Sequence, residues 1–357
     1  MPQDGVIIVN DGNVDARPAQ DWLRRQVQNR PRNNVLLRIA IAAILILATS
    51  PSFAADVLRI GLQKTGTFAW QLDVIKRHGL AAAANLDLKL TEMSSADAGK
   101  LALNAGSVDV AVVDWLWVAR ERALGTRLQF YPYSTAIGAI MVKQDAPLQK
   151  LADLKGQTLS IAGGPLDKSW LIVQAVAIRR GLDLKRDVTL QYGAPPLMFQ
   201  KTLQGESQAN LNYWNFCARL EARGYRRLYD IREAQVELGL KEPLALTGYV
   251  FSEKFTAAHR DAIERFLTVV QKANDILMQS DAEWEALRPL MQAEDQATFL
   301  AYRDRTREGI PRRTILAEEA DARTLFKTLT EIAGPTLLGS VKEIPAGMYY
   351  HRSSSGG

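Results

Sequence analysis

The chain of 357 residues contains one cysteine, Cys217, and only three histidines. A single cysteine cannot form an internal disulfide, and in an oxidising compartment a lone cysteine is most often simply buried. The histidines His78, His259 and His351 do not have metal-ligand spacing, and no cysteine or carboxylate pattern accompanies them. We therefore expect no metal site, no cofactor and no disulfide framework.

The sequence also lacks the motifs of common catalytic and nucleotide-binding sites. It has no G-x-S-x-G nucleophile motif, and neither G-x-G-x-x-G nor a P-loop occurs. No basic run with interleaved aromatic residues is present, and the formal net charge is only +5, so we expect no nucleic-acid partner. These absences favour a binding protein without catalytic residues. An enzyme that works through carboxylates alone stays open.

The N-terminal region has the pattern of an export signal. A ten-residue apolar run, Ile39–Ala48, follows Arg30, Arg32 and Arg38 and precedes the small-residue motif Ser52–Ala54. The run is about half as long as a membrane-spanning helix needs to be, although a permanent anchor helix is the alternative. We expect cleavage near Ala54 and a soluble protein in the periplasm.

Beyond the signal, short β-rich runs alternate with helical stretches, which is typical of an α/β fold with parallel strands. Two changes of pattern, near residues 141–147 and 243–250, predict that the chain crosses to a second lobe and returns, as in a clamshell that closes on a ligand. The predicted division starts with a signal peptide over 1–54, of which 1–30 contain four aspartates, unusual for the start of a signal, and fit a misassigned start. It continues with the first part of lobe 1 over 55–142, lobe 2 over 143–247, the helices that complete lobe 1 over 248–340, and a C-terminal tail over 341–357.

Polar loops follow several predicted strands and precede predicted helices. In open α/β sheets ligands bind beyond the carboxyl ends of strands, where unpaired N–H groups of a helix N-terminus favour an anion. The candidate ligand-binding residues are Gln63, Lys64, Thr65, Gly66 and Thr67 in the first loop; Asp114 and Trp115 in the second; Gly163, Gly164 and Asp167 in the third; Trp214 and Asn215 in the fourth; and Ser134 and Thr135 at the lobe boundary.

Each loop also has a plainer structural interpretation. Residues 63–67 can be an ordinary turn at a helix start, and Asp114 can simply cap the next helix. The paired glycines can form a tight turn that leaves Lys168 exposed, and Tyr213–Trp214 can be a buried aromatic pair. In the functional interpretation, Lys64 and the neighbouring hydroxyls bind the anionic end of a solute, and Trp115 forms an aromatic surface while Trp117 packs in the core.

Five short stretches resemble one family in their order along the chain: Leu58–Gly61, Gln63–Gly66, Leu101–Ala111, Leu151–Gly156 and Phe251–Phe255. With the export signal, they resemble the periplasmic substrate-binding proteins of ABC importers for nitrate, alkanesulfonates and taurine, over residues 57–335. The resemblance implies a type II periplasmic-binding fold, with two α/β lobes joined by a two-stranded hinge. It also implies solute capture by lobe closure and delivery to an inner-membrane ABC permease with a cytoplasmic ATPase.

The chain departs from this family after its third strand, where small or hydroxyl residues are common and Asp114–Trp117 stand here. A carboxylate and an indole fit an amine-bearing, zwitterionic or partly aromatic solute, so we expect a small organic, anionic or zwitterionic, sulfonate- or taurine-like ligand and a monomeric protein. A related branch contains pyrimidine-forming enzymes of thiamine synthesis that rely on a cysteine-rich motif, which a single Cys217 does not provide. A periplasmic ligand sensor and an enzyme on the same fold are the alternatives.

Overall fold

The computed structural model describes residues 54–63, 66–339 and 341–353. The predicted signal segment up to Phe53, the loop residues Lys64 and Thr65 and the last four residues of the tail lie outside the described residues. None of the helices in the described ranges is both long enough and apolar enough to span a membrane.

The strands form two five-stranded sheets. The first contains β1 (Asp56–Gln63), β2 (Leu86–Met93), β3 (Val110–Asp114), β4 (Leu128–Ser134) and β10 (Thr247–Ser252), in the order β2-β1-β3-β10-β4. The second contains β5 (Ala139–Lys143), β6 (Thr158–Ala162), β7 (Thr189–Gly193), β8 (Ala209–Asn212) and β9 (Tyr225–Asp230), in the order β7-β6-β8-β5-β9.

Each sheet has one strand that runs against its neighbours. Strand β10 is antiparallel to β3 and β4, and β5 is antiparallel to β8 and β9, whereas β1 pairs in parallel with β2 and β3 and β6 with β7 and β8. These two strands are the ones next to the points where the chain changes sheet. The predicted two-lobe α/β fold is thereby confirmed.

Helices cover both sheets. Lobe 1 has α1 (Phe68–Arg77), α2 (Leu80–Ala83), α3 (Ala96–Asn104) and α4 (Trp115–Ala123). Lobe 2 has a 3₁₀ turn (Leu151–Leu154) followed by α5 (Lys168–Arg179), α6 (Leu184–Asp187), α7 (Pro195–Leu203), α8 (Trp214–Glu221) and α9 (Ile231–Glu237). The C-terminal part has α10 (Glu253–Ala258), α11 (Arg260–Gln279), α12 (Asp281–Met291), α13 (Gln296–Gly309), α14 (Ile315–Ala333) and α15 (Pro335–Leu338).

The first crossing between the lobes lies earlier than the sequence pattern placed it. Strand β5 belongs to the second sheet, so the chain leaves lobe 1 over residues 135–138 rather than 141–147. The return runs over residues 238–246, between α9 and β10. An apolar strand has the same local pattern in either sheet, because its membership depends on distant partners. Here β5 pairs with β8 and β9, which the local sequence does not specify.

The core of lobe 1 includes the amphipathic face of α11. Its residues Phe266, Val269, Val270, Ala273 and Leu277 recur at three- and four-residue spacing and are at most 2% exposed. Helix α12 packs beside it, and its Trp284 indole donates a hydrogen bond of 2.8 Å to the Leu277 carbonyl. Helices α11 and α12 therefore cover the first lobe, as expected.

Helix α14 instead contacts both lobes. It packs against α5 of lobe 2, and its Phe326 ring lies 6.0 Å from the Trp115 ring at the start of α4. The buried Glu318 carboxylate on the same helix accepts a hydrogen bond of 3.0 Å from the Ala245 amide in the second crossing. Helix α14 thus holds the return crossing in place through Glu318.

The described part of the C-terminal tail joins the edge of the first sheet. The Phe130 amide donates to the Met348 carbonyl at 2.7 Å, and the Tyr350 amide donates to the Phe130 carbonyl at 2.9 Å. Met348, Tyr349 and Tyr350 are buried. The tail therefore covers the outer side of β4, an edge that would otherwise have unpaired backbone groups.

Candidate functional site

The first loop, the lobe boundary and the fourth loop meet at one small cavity. Thr67, Ser134 and Trp214 all line it, and its volume is about 20 Å³, enough for one water molecule. The Thr67 Oγ1 and Tyr133 hydroxyl oxygens are 3.1 Å apart. Burial raises the pKa of Tyr133 to about 12, so the phenol stays protonated and can donate. Three candidates that are far apart in sequence are thus brought together.

Trp214 lies in a contact between the lobes. Only 8% exposed, it packs edge-on against the rings of Trp70 and Tyr302 in lobe 1, each centroid 6.0 Å away. The neighbouring Asn215 is half-buried. This position agrees with a buried aromatic residue, and a role for Trp214 and Asn215 in ligand binding stays a prediction.

The backbone amides of Thr135 and Gly66 each donate a hydrogen bond to a backbone carbonyl. The Thr135 amide donates to the Gly309 carbonyl at 2.8 Å, which attaches the first crossing to the end of α13. The Gly66 amide donates to the Gln63 carbonyl at 2.9 Å and closes the turn between β1 and α1. Both residues, with Gln63, are half-buried, so their side of the junction is accessible only in part.

Asp114 has two partners in lobe 1. Its Oδ1 accepts from the Trp117 amide at 2.7 Å, which confirms the predicted helix cap, and its Oδ2 lies 3.3 Å from the Lys100 ammonium. Burial by itself would raise the pKa of the Asp114 carboxyl, but the charges of Lys100 and then Lys168 outweigh it and hold the pKa below its ordinary value. The carboxylate is therefore charged at neutral pH.

Of the two tryptophans after Asp114, Trp115 differs from expectation. Trp115 is completely buried against Phe326 of α14, while Trp117, 8% exposed, lies with its ring 5.8 Å from the Lys100 ammonium. The sequence suggested an aromatic surface for Trp115 and a core position for Trp117; the structure contradicts the first, and Trp117 is buried in the core as predicted. The reason is that α14 covers the first turn of α4. Because α14 lies far along the chain from Trp115, the residues around Trp115 do not indicate this contact.

The third loop caps α5 and buries a lysine. The Asp167 carboxylate accepts from the Ser169 amide at 2.9 Å and from the Trp170 amide at 3.4 Å. The Lys168 side chain is only 10% exposed, contrary to the exposed position considered from sequence. Its ammonium lies 3.7 Å from Asp167 Oδ2 and 4.7 Å from the centre of the Tyr213 ring.

Two glycines shape this loop in different ways. Gly163 has φ +88°, and a Cβ there would lie 3.1 Å from Asp167 Oδ2 and 3.3 Å from the Tyr213 hydroxyl. Only glycine fits such a close approach without strain. A Cβ on Gly164 would meet nothing within 4 Å, so Gly164 faces open space beside the helix start.

Charged groups of the two lobes face each other here. Lys168 of lobe 2 is close enough to Asp114 of lobe 1 to lower its pKa. Burial and then the charges of Asp167 and Asp114 raise the pKa of Tyr213 well above 10, and the Tyr213 hydroxyl donates to Asp167 at 3.3 Å. We call this set the inter-lobe charge cluster; its members are Lys100 and Asp114 in lobe 1 and Asp167, Lys168 and Tyr213 in lobe 2.

The cluster contains donors without partners. Within the described part of the chain, the Lys168 ammonium has no hydrogen-bond acceptor within 3.5 Å, its nearest carboxylate oxygen being 3.7 Å away. The buried Ser169 hydroxyl also has no described partner. Both belong to the first turn of the twelve-residue helix α5, where the helix dipole favours an anion. The arrangement can therefore bind an anion at α5 and a cation at the facing carboxylates.

Sequence reasoning missed Lys168, Tyr213 and Lys100 as site candidates. Lys168 and Tyr213 stood inside the loops already singled out, and only their burial distinguishes them from surface residues. Lys100 had no local signal, because its contact with Asp114 joins the middle of α3 to the end of β3. Among the described residues, no group of three or more histidines, cysteines or carboxylates could hold a metal ion.

Two α/β lobes, each with one antiparallel strand at a chain crossing, define the fold of the periplasmic binding proteins, and solved structures agree. The alkanesulfonate-binding protein SsuA from Xanthomonas axonopodis pv. citri, solved bound to MOPS, matches with a TM-score of 0.65 and 19% identity over 84% of this chain and 99% of its own. The periplasmic aliphatic sulphonate-binding protein SsuA from Escherichia coli matches with 0.62 and 20% over 82% and 98%. The periplasmic nitrate-binding protein NrtA from Synechocystis matches with 0.52 and 14% over 66% of each chain.

The family model described as "NMT1/THI5 like" matches residues 74–283, and the chain belongs to this family. No curated protein matches the chain. The resemblance to the sulfonate- and nitrate-binding proteins and the fold expected from it are confirmed.

Proposed function

We propose that this protein is a solute-binding protein of an ABC importer. It acts in the periplasm after removal of the N-terminal signal, captures a small organic solute between its lobes and delivers it to an inner-membrane permease driven by a cytoplasmic ATPase. The fold supports this proposal, as do the family and the sulfonate- and nitrate-binding proteins that share the fold. The observation that carries it is the Lys168 side chain, which is only 10% exposed and whose positive charge acts on the Asp114 carboxylate of the other lobe.

The chemistry of the inter-lobe charge cluster suggests which solute fits. A buried hydroxyl without a hydrogen-bonding partner is costly, as at Ser169. The Ser169 hydroxyl and the Lys168 ammonium supply donors for a sulfonate at the start of α5. Gly164 leaves room beside that helix start for the anion to approach. The solute is a sulfonate bound at α5.

The opposite end of the solute carries an amine. The Asp114 carboxylate of lobe 1 accepts hydrogen bonds from an ammonium, which matches the amine-bearing solute expected from Asp114. A zwitterionic sulfonate such as taurine has both groups. One relative was solved bound to MOPS, a buffer that also combines a sulfonate with an amine. The protein binds this solute rather than transforming it, and the bound molecule is released unchanged.

Calorimetric titration and thermal melting of the solute-stripped protein test the proposal with four probes: taurine, MOPS, butanesulfonate and nitrate. A solute at one hundred times its Kd stabilises the folded protein by about 2.7 kcal/mol. We expect binding of taurine or MOPS to exceed that of butanesulfonate, which has no amine, and that of nitrate. The proposal fails if none of the four binds.

Two lysine variants locate the anion site. Lys168→Met removes a charged hydrogen bond worth about 1.5–3 kcal/mol, so affinity for the sulfonate should fall about ten- to hundredfold. Lys155→Met, at an exposed lysine of the same lobe, is the matched control and should bind as the parent does. Unchanged affinity in Lys168→Met would place the anion elsewhere. Mass spectrometry of the recovered solute shows whether it has been chemically altered.

A further inference from the structure

Helix α13 of lobe 1 makes contacts with the crossing and with lobe 2 along its whole length. At its C-terminal end the Gly309 carbonyl accepts from Thr135 in the first crossing. In its middle Tyr302 packs against Trp214 of lobe 2. Just before its first residue, Glu294 is paired with lobe 2. The fourteen residues of the helix span roughly 20 Å, so Glu294 lies far from the crossing.

Glu294 bridges two arginines of lobe 2. Its Oε1 accepts from Arg219 Nη2 at 2.8 Å, and its Oε2 pairs with Arg223. The Arg219 and Arg223 guanidinium groups lie 4.6 Å and 5.6 Å from the centre of the Phe199 ring of α7. This packing keeps both arginines in position, with side chains only 22% and 25% exposed.

We propose that Glu294, Arg219 and Arg223 form a latch that holds the two lobes closed. The proposal rests on the lobe closure of the proposed function. We take the first crossing as the axis of opening. A rigid-body rotation of about 15°, as between the subunits of some allosteric proteins, moves a point about 20 Å from the axis by about 5 Å. That displacement separates the carboxylate from both guanidinium groups, while the Thr135–Gly309 hydrogen bond near the axis is barely changed.

The latch biases the closed state without locking it. Glu294 is 55% exposed, and exposed ion pairs are weak, so the pairing shifts the ratio of closed to open protein by about two- to fivefold. A bias of this size lets a solute enter and lets the permease reopen the lobes.

A distance measurement between the lobes tests the latch. The one native cysteine is buried, so spin labels can be attached to cysteines introduced as Leu290→Cys on α12 and Leu197→Cys on α7, both exposed positions on either side of the latch. Electron-spin distance distributions are recorded on the full, solute-stripped chain. We expect Glu294→Gln to move population to distances about 5 Å longer.

The matched control is Glu285→Gln. Glu285 is 58% exposed and pairs with Arg288 inside α12, so its removal should leave the distances unchanged. At 1 M salt, where the screening length is about 3 Å, the parent should resemble Glu294→Gln. Distances in Glu294→Gln that equal those of the parent at low salt would overturn the latch. Because no solute is added, this result is independent of the binding titrations, whose failure would refute the proposed function instead.

Discussion

Replacing Trp214 by alanine decides between two positions for this side chain, the surface of a ligand cleft and the core between the lobes. The structure buries all but 8% of the residue between Trp70 and Tyr302. A buried tryptophan removes about 150–250 Å² from water, which at about 25 cal/mol per Å² gives about 4–6 kcal/mol. Residual burial in the unfolded chain lowers this figure, so we expect a loss of about 3–5 kcal/mol, the usual range for such truncations.

Urea denaturation followed by far-ultraviolet circular dichroism measures this loss without relying on tryptophan fluorescence. Asn215→Ala, at the next residue of α8, is the control, because Asn215 is only half-buried, and we expect a change of about 0.5 kcal/mol or less. If Trp214→Ala unfolds within about 1 kcal/mol of the parent and loses solute binding, the burial argument is wrong and Trp214 faces the ligand.

Two further predictions concern the first crossing and the inter-lobe charge cluster. Gly138→Ala places a Cβ against the Asn212 carbonyl and should lower the melting temperature strongly. Gly164→Ala adds a Cβ that points into open space and should leave the melting temperature unchanged. Equal melting temperatures of the two variants would contradict the predicted clash at Gly138. Burial opposes the charge on Asp114, but the Lys100 ammonium keeps the pKa of the Asp114 carboxyl below 3.8. The stabilisation from the charged carboxylate is therefore complete above pH 3.8, and it is lost as the pH falls through the lower pKa of the folded state. The parent should therefore exceed Asp114→Asn in unfolding free energy by a constant amount from pH 7 to about 5 and by less below pH 3.8; a constant difference down to pH 2 would show that Asp114 is not coupled to Lys100.

Local patterns were sufficient for much of the secondary structure. Serine is a preferred residue just before a helix, and the Ser95 hydroxyl accepts from the Ala98 amide at 3.1 Å at the start of α3. Asp114 was predicted to end a strand and cap α4, and it does both. The apolar spacing within α11 coincides with its buried face. These features depend on residues within a few positions of each other, so the sequence contains the information directly.

The candidate site could be predicted only in part. Four loops and the lobe boundary were proposed, and the structure joins Thr67, Ser134 and Trp214 around one cavity. It also adds Lys168, whose importance comes from burial and from the opposite charge on Asp114. Neither property is encoded near Lys168 in the chain, because both depend on the contact between the lobes.

The sequence alone determined the alternation of strands and helices, the two-lobe layout and the polar loops at helix starts, since periodicity, caps and turns act over short distances. Only the tertiary structure decided that β5 belongs to the second sheet, that α14 covers Trp115, and that Lys168 faces Asp114. Each of these depends on pairing between segments far apart in the chain. Such pairing is selected by the packing of the whole fold rather than by the residues on either side.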